Sequence, residues 1–238
     1  MTGRSRAIIA VFGGDEREAV DRASAFGEAI AKQGHILLTG GDGSNTATVK
    51  DQAIEGARPS AWVGVDPDPG PDRKRPIDAE LVRDGFVVKS ALGHWRNYLE
   101  GFLCDAAIGL PGGAGTLSEV MFALSLQRPV AFVGDDWKNK WDVDNTYEPE
   151  VLDDAFDRVR KSGDKPGFDE FLERADIQRA LQRLPPHEYF AQDTPSGDVV
   201  DWIRNSISTP YRGAFPPLKG YEDVIGKYES WLKEQQPA

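Results

Sequence analysis

The stretch with the clearest chemical potential is a glycine-rich turn between an apolar run and a helical pattern. The turn reads Pro111-Gly112-Gly113-Ala114-Gly115-Thr116, and it follows the strand-like run 106–110. From Thr116 to Gln127, apolar residues recur at the i, i+3, i+4, i+7 spacing of an amphipathic helix. Glycines allow close approach of a ligand, and a helix N-terminus presents unpaired N–H groups and the positive end of its dipole. The pattern therefore predicts a phosphate site in which Thr116 caps the helix and Glu119 adds a carboxylate.

The rest of the first half alternates short apolar runs with helical patterns. The expected strands are 7–12, 35–39, 61–65, 86–88, 106–110 and 129–133, and the expected helices are 15–33, 46–57, 94–104 and 116–127. Gly34 is expected to end the first helix. Alternation of this kind predicts an α/β fold with a mainly parallel sheet and helices on both faces.

Four of these runs end in small or polar loops. They end in Gly13-Gly14, in Gly40 to Asn45, in Lys89 to Arg96 and in the glycine turn. In a parallel sheet these loops share one edge, which is where ligands bind. The edge is predicted to be a polar crevice for a phosphorylated small molecule, most simply a nucleotide. Besides the glycine turn, its predicted binding residues are Gly13, Gly14, Gly40, Gly41, Gly43 and Ser44.

Composition narrows the class of partner. A net charge of −11 over 238 residues argues against broad contact with nucleic acid or anionic membrane. Cys104 is the single cysteine, so no intrachain disulfide forms and a cytoplasmic location is expected. No apolar run reaches the length of a signal or membrane helix. The commoner nucleophile, redox and metal motifs do not occur, and we expect no metal and no cofactor.

Each of these features also has a purely structural explanation. A glycine loop can be no more than a tight turn, and Arg96 can form an ordinary surface ion pair. Glu119 can serve only to favour the helix dipole. These explanations stay open at this point.

The chain changes character after Gly134. Helical patterns cover 153–161, 169–184, 197–208 and 221–233, with proline-rich breaks between them. We predict a nucleotide-binding domain over residues 1–164. A mostly helical extension over 165–238 is expected to pack on that domain or on a partner subunit.

The glycine turn and its helix together resemble the PGGxGTxxE signature of the Lonely Guy family of cytokinin-activating phosphoribohydrolases, also labelled lysine decarboxylases. Arg96 lies fifteen positions before Pro111, where the family carries an arginine. The resemblance implies a Rossmann-like, usually dimeric protein that hydrolyses the N-glycosidic bond of nucleoside 5′-monophosphates. It implies Arg96 and Glu119 as the catalytic pair, which suits an oxocarbenium-like transition state.

Two departures from the family pattern keep another function open. Ser44-Asn45-Thr46-Ala47 replaces the family's usual second glycine stretch, and Asn97 stands where lysine is common. The alternative is a nucleotide sensor or carrier of the same superfamily that does not cleave its ligand. A lysine decarboxylase dependent on pyridoxal phosphate is disfavoured, because no candidate Schiff-base lysine is evident.

Overall fold

The centre of the fold is an eight-stranded sheet. The structure is a computed structural model that describes residues 6–41, 48–66, 78–135, 137, 185–207 and 218–236. The strands are β1 (Ile8–Phe12), β2 (Ile36–Thr39), β3 (Trp62–Asp66), β4 (Asp78–Val82), β5 (Gly85–Lys89), β6 (Ala106–Gly109), β7 (Val130–Val133) and β8 (His187–Phe190). Their order is β4-β5-β3-β2-β1-β6-β7-β8, and every pairing is parallel except β4 with β5. The fold is α/β and Rossmann-like, as predicted.

Six α-helices lie in the described part of the chain. They are α1 (Arg17–Lys32), α2 (Val49–Ala57), α3 (Arg96–Leu103), α4 (Ala114–Ser125), α5 (Ser196–Ser206) and α6 (Glu222–Gln235). Gly34 follows α1 with a φ of +78°, so the predicted glycine stop is confirmed. Within the described ranges, none of the helices has the length and apolar character needed to cross a membrane.

Successive side chains along the strands point to opposite faces of the sheet, and this produces two hydrophobic cores. Ile8, Ala10 and Phe12 of β1 face a core shared with α3, α4 and α6. Ile9 and Val11 face the opposite core, shared with α1, α2 and α5. Because successive side chains of a strand point to opposite faces, a fully apolar strand is buried on both sides. The sheet is therefore covered by helices on both faces.

The two edge strands were not predicted from the sequence. β4 reads Asp-Ala-Glu-Leu-Val and leaves both acidic residues exposed, and β8 reads His-Glu-Tyr-Phe after a Pro-Pro pair. Edge strands need only one paired neighbour and tolerate charge, so they lack the apolar run that marks central strands. The expected loop 66–76 and the helices expected at 153–161 and 169–184 lie outside the described residues, apart from Asp66.

The C-terminal helices cover the sheet on opposite faces. On α6, Tyr228 and Trp231 pack against Phe86 of β5, with ring centroids 5.6 and 5.5 Å from that of Phe86. On α5, Val199, Val200 and Ile203 are buried in the opposite core. β8 extends the sheet beside β7. The C-terminal part of the chain is thus built into the same layered structure as the glycine turn.

Candidate ligand-binding site

The loops predicted to meet at one edge follow strands that are parallel to one another. Gly13-Gly14 follows β1, Gly40-Gly41 follows β2, the loop toward Arg96 follows β5, and Pro111 to Gly113 lies between β6 and α4. The chain between β6 and α4 contacts the chain after β1 directly, because the Gly14 N–H donates to the Pro111 carbonyl at 3.0 Å. The carboxyl edge of the sheet therefore gathers the candidate residues.

The start of α4 carries free backbone donors. Gly113 is the N-cap and makes no side-chain cap bond, and the Leu117 N–H donates to the Gly113 carbonyl at 3.0 Å. The N–H groups of Ala114, Gly115 and Thr116 consequently precede the helical hydrogen-bond ladder. Thr116 was predicted to cap this helix, but that prediction is wrong: the helix starts two residues earlier, and Thr116 is buried in its first turn.

The glycines of the turn differ in the space around them. A Cβ on Gly112 would lie 2.7 Å from the Gly14 nitrogen and 2.8 Å from Thr116 Cβ. Gly113 and Gly115 are exposed, and a Cβ on either would meet nothing within 4 Å. Gly112 is therefore required by packing of the two turns, whereas the open space beside Gly113 and Gly115 is available to a ligand.

Arg96 begins α3 and points into this edge. Its Nη1 donates to the carbonyl of Gly40 and, at 3.2 Å, to the carbonyl of Val65. A Cβ on Gly40 would lie 2.5 Å from Nη1, so the close approach requires glycine there. Arg96 is 8% exposed. It is therefore a buried guanidinium that joins the carboxyl ends of β2 and β3, and the surface ion pair considered from the sequence is wrong.

Glu119 lies on the second turn of α4 and faces Arg96. Arg96 Nη2 and Glu119 Oε1 are 4.0 Å apart, and Glu119 is 4% exposed. Burial raises the pKa of Glu119 above its ordinary value, while Arg96 and Lys50 act in the opposite direction. The two residues selected from the sequence are thus brought together across the α3–α4 interface.

Two buried polar residues of α3 were not selected from the sequence. Glu100, one turn after Arg96, is completely buried, and its Oε1 lies 3.6 Å from Arg96 Nη1. The Asn97 amide donates to Ser118 Oγ at 2.6 Å, and Ser118 Oγ donates to the Gly115 carbonyl at 2.7 Å. The i, i+4 spacing from Arg96 was the available signal for Glu100. Asn97 stabilises the first turns of α4 through Ser118.

The loop before Arg96 is held by neighbouring elements. Lys89, at the end of β5, pairs through its Nζ with Glu80 of β4 at 2.5 Å. Ser90 Oγ donates to the Asp66 carbonyl at 3.1 Å. The Tyr221 hydroxyl, at the start of α6, donates to the Ser90 carbonyl. The C-terminal helix thus contacts the loop that leads to Arg96.

Removing the Tyr221 hydroxyl tests this contact. Tyr221→Phe is expected to lower the free energy of unfolding by about 1–2 kcal/mol, because a buried carbonyl loses its donor. Burial raises the pKa of Tyr221 to about 12, so the hydroxyl remains a donor at neutral pH. Urea unfolding measures the change, and an unchanged midpoint would contradict the proposed contact.

Several predicted features fall elsewhere. Gly43 and Ser44 lie outside the described residues, whereas Gly41 is partly buried beside Lys50 of α2. Among the side chains that are described, no group of three or more His, Cys, Asp or Glu could hold a metal ion.

A cavity of about 540 Å³ lies between α1 and the end of α2, near Lys32 and Arg58. It lies at the opposite edge of the sheet, because those helix ends adjoin the amino ends of the strands.

The chain is similar in sequence to known proteins. A sequence profile of the SLOG cluster4 family matches residues 6–159. A protein of uncharacterised function from Archaeoglobus fulgidus is 34% identical over 137 residues, which are 53% of this chain and 83% of that protein.

Two solved structures are similar to this chain. The Moco carrier protein from Chlamydomonas reinhardtii is 22% identical, with a TM-score of 0.50 over 85% of this chain and 98% of its own. The molybdenum cofactor binding protein from the phototrophic bacterium Rippkaea orientalis is 26% identical, with a TM-score of 0.49 over 65% of this chain and 97% of its own. The first of these shows a shared fold.

Proposed function

We propose that this chain, which belongs to the SLOG cluster4 family, binds a nucleotide-type phosphate ester at the carboxyl edge of its sheet without cleaving it. The observation that carries the proposal is the uncapped start of α4, where Gly113 and Gly115 are exposed with open space beside them. Three free N–H groups and the positive end of the helix dipole suit a phosphate there.

The proposed roles of the other residues follow from their positions. Gly112, Gly113, Ala114, Gly115 and Thr116 form the phosphate turn. Gly13 and Gly14 support it, since Gly14 donates to Pro111. Gly40 and Gly41 border the ligand on the β2 side. Gly43 and Ser44, which lie outside the described residues, are proposed as binding residues from the sequence alone. Arg96 and Glu119 flank its sugar.

The environment of Arg96 supports a binding role over catalysis. Its Nη1 is committed to two backbone carbonyls, and its Nη2 is 4.0 Å from a buried Glu119. A guanidinium held in this way is a fixed part of the site wall. A binding protein needs such a wall, whereas hydrolysis also needs a carboxylate that is ionised and reached by water.

Hydrolysis is the second candidate. The SLOG superfamily includes Lonely Guy proteins, and the proximity of Arg96 to Glu119 is the observation that favours it. In that case the chain is a phosphoribohydrolase that releases free base and ribose 5-phosphate. Homodimer formation remains part of the proposal drawn from the resemblance.

One experiment separates the two functions. The protein is titrated calorimetrically with AMP, GMP, isopentenyl-adenosine monophosphate and the molybdenum cofactor, the last because the fold is shared with a Moco carrier. Each mixture is then analysed for free base and ribose 5-phosphate. Saturable binding with intact ligand recovered is the expected result. Turnover would establish the hydrolase instead, and absence of both binding and turnover would overturn the phosphate site.

A further inference from the structure

Glu100 lies against the turn after β2, at the carboxyl edge of the sheet where the ligand site is proposed. Its side chain is fully buried on α3, and neither carboxyl oxygen has a hydrogen-bond partner that meets the distance and angle limits of a hydrogen bond. The polar groups nearest to it are the Arg96 guanidinium, at 3.6 Å, and the Glu119 carboxyl. A Cβ on Gly40 would lie 2.6 Å from Glu100 Oε1, which places the carboxyl against the turn after β2. Buried polar groups are nearly always hydrogen-bonded, so a buried carboxyl at a ligand-binding edge with only a loose ion pair to Arg96 requires an explanation.

The charges around Glu100 come from three helices. Arg96 of α3 lies 3.6 Å from Glu100 and 4.0 Å from Glu119 of α4. Lys50 of α2 acts on both carboxyls from a greater distance. On the side of the strands, Arg96 binds the backbone carbonyls of Gly40, which follows β2, and of Val65 in β3. One buried guanidinium therefore faces two buried carboxyls.

We propose that Glu100 is a positioning residue that carries a proton at neutral pH and keeps the Arg96–Glu119 pair free of excess negative charge beneath the bound phosphate ester. When Glu100 ionises, it competes with Glu119 and the two carbonyls for Arg96. It also adds a negative charge beneath an anionic ligand. Alkaline pH therefore weakens ligand binding through a residue that does not touch the ligand. The part of this inference that concerns ligand binding rests on the proposed function.

The electrostatics agree with this geometry. Burial, together with the neighbouring Glu119 carboxyl, raises the pKa of Glu100 to about 8 against the opposing effects of Arg96 and Lys50. An acid whose pKa is raised in the folded state favours folding most below its ordinary pKa of 4.5. This contribution to the free energy of unfolding is lost as the pH rises toward the pKa of Glu100 in the folded state. Above that pKa the free energy of unfolding falls no further on account of Glu100.

The first test needs no ligand. In protein labelled with ¹³C-glutamate, the carboxyl resonance that disappears in Glu100→Gln is followed from pH 4 to pH 10. A midpoint near pH 8 is expected, and a midpoint at the ordinary glutamate value would overturn the proposal. Unfolding curves add an independent readout. Glu100→Gln is expected to exceed the wild type in stability only slightly at pH 5, and to unfold at a clearly higher urea concentration at pH 8.5.

The second test uses AMP binding by the full chain between pH 7 and pH 9.5. The second ionisation of a phosphate ester is nearly complete there, since its pKa is about 6. If only the protonated form of Glu100 permits binding, linkage predicts that the AMP dissociation constant rises about fivefold between pH 8 and pH 9. Glu100→Gln is expected to bind at pH 7 and to lose this alkaline dependence. Glu55→Gln, an exposed glutamate on α2, is the matched control and is expected to retain it.

The outcomes of the two tests are distinguishable. A flat wild-type profile, or an alkaline decline that persists in Glu100→Gln, would overturn the role of Glu100. Absence of AMP binding at every pH would count against the proposed function, and the ligand-free titration would then decide the protonation state of Glu100.

Discussion

Arg96→Ala is expected to lower the free energy of unfolding by about 3–5 kcal/mol, because the substitution leaves buried charge without a partner. Two carboxyls, Glu100 and Glu119, lose their nearby guanidinium, and two backbone carbonyls lose a donor. The decrease in the free energy of unfolding is expected to be smaller at pH 5 than at pH 8. Without Arg96 the pKa of both carboxyls rises further, and neutral carboxyls are less costly to bury at acid pH.

The same substitution is expected to weaken nucleotide binding by about 10–100-fold, the usual effect of losing a charged hydrogen-bonding group. Arg96→Lys keeps the charge but cannot hold two carbonyls and a carboxylate together, so an intermediate loss is expected. This variant keeps the binding test valid if the alanine variant is poorly folded. Unfolding in urea and calorimetry measure the two effects.

Arg58→Ala is the control for these variants. Arg58 is exposed and pairs with Glu55 at 2.9 Å on the surface of α2, so its loss is expected to change stability by less than about 0.5 kcal/mol. Wild-type stability and wild-type binding in Arg96→Ala would show that the buried cluster has neither a structural nor a ligand-binding role.

The second large effect separates glycines that the fold needs from glycines that the ligand needs. Gly113→Ala and Gly115→Ala are each expected to reduce affinity for a phosphate ester at least about tenfold, or 1.4 kcal/mol. The added methyl group occupies the open space beside the free N–H groups of α4. Stability is not expected to fall, and Gly115→Ala is expected to gain up to about 1 kcal/mol because alanine favours a helix.

Gly112→Ala is expected to behave differently. Its Cβ would lie 2.7 Å from the backbone nitrogen of Gly14, so the two turns must move apart. Overpacking of this kind destabilises proteins by about 1–3 kcal/mol, and binding is lost together with stability. Thermal unfolding and calorimetry on the three variants distinguish these effects.

Gly226→Ala is the matched control for the glycine series. Gly226 is an exposed glycine of α6, and a Cβ there would meet nothing within 4 Å, so alanine is expected to stabilise the helix without affecting the ligand. If Gly113→Ala and Gly115→Ala also bind like the wild type, then the ligand phosphate does not sit at the start of α4.

Most of the fold was predicted from local patterns in the sequence, namely apolar runs and helical spacing. Apolar runs marked the six central strands because a strand buried on both faces must be apolar throughout. The edge strands β4 and β8 were not predicted, because their side chains are partly exposed and each strand pairs with a single neighbour. The start of α4 was placed two residues late, since Ala114 and Gly115 carry no apolar signal and the helix has no side-chain cap.

The sequence by itself determined the α/β alternation and the glycine turn at a helix N-terminus, and it led to the prediction that Arg96 and Glu119 are site residues. Each of these depends on residues close together in the chain or on a short recognisable motif. Only the tertiary structure decided that Lys89 pairs with Glu80, that Gly112 has no room for a side chain, and that Arg96 binds a carbonyl 56 residues away. It also placed Glu100 in a buried cluster with Arg96 and Glu119. Ion pairing, protonation and close packing depend on contacts between segments that are far apart in the chain. A local sequence pattern carries no information about those contacts.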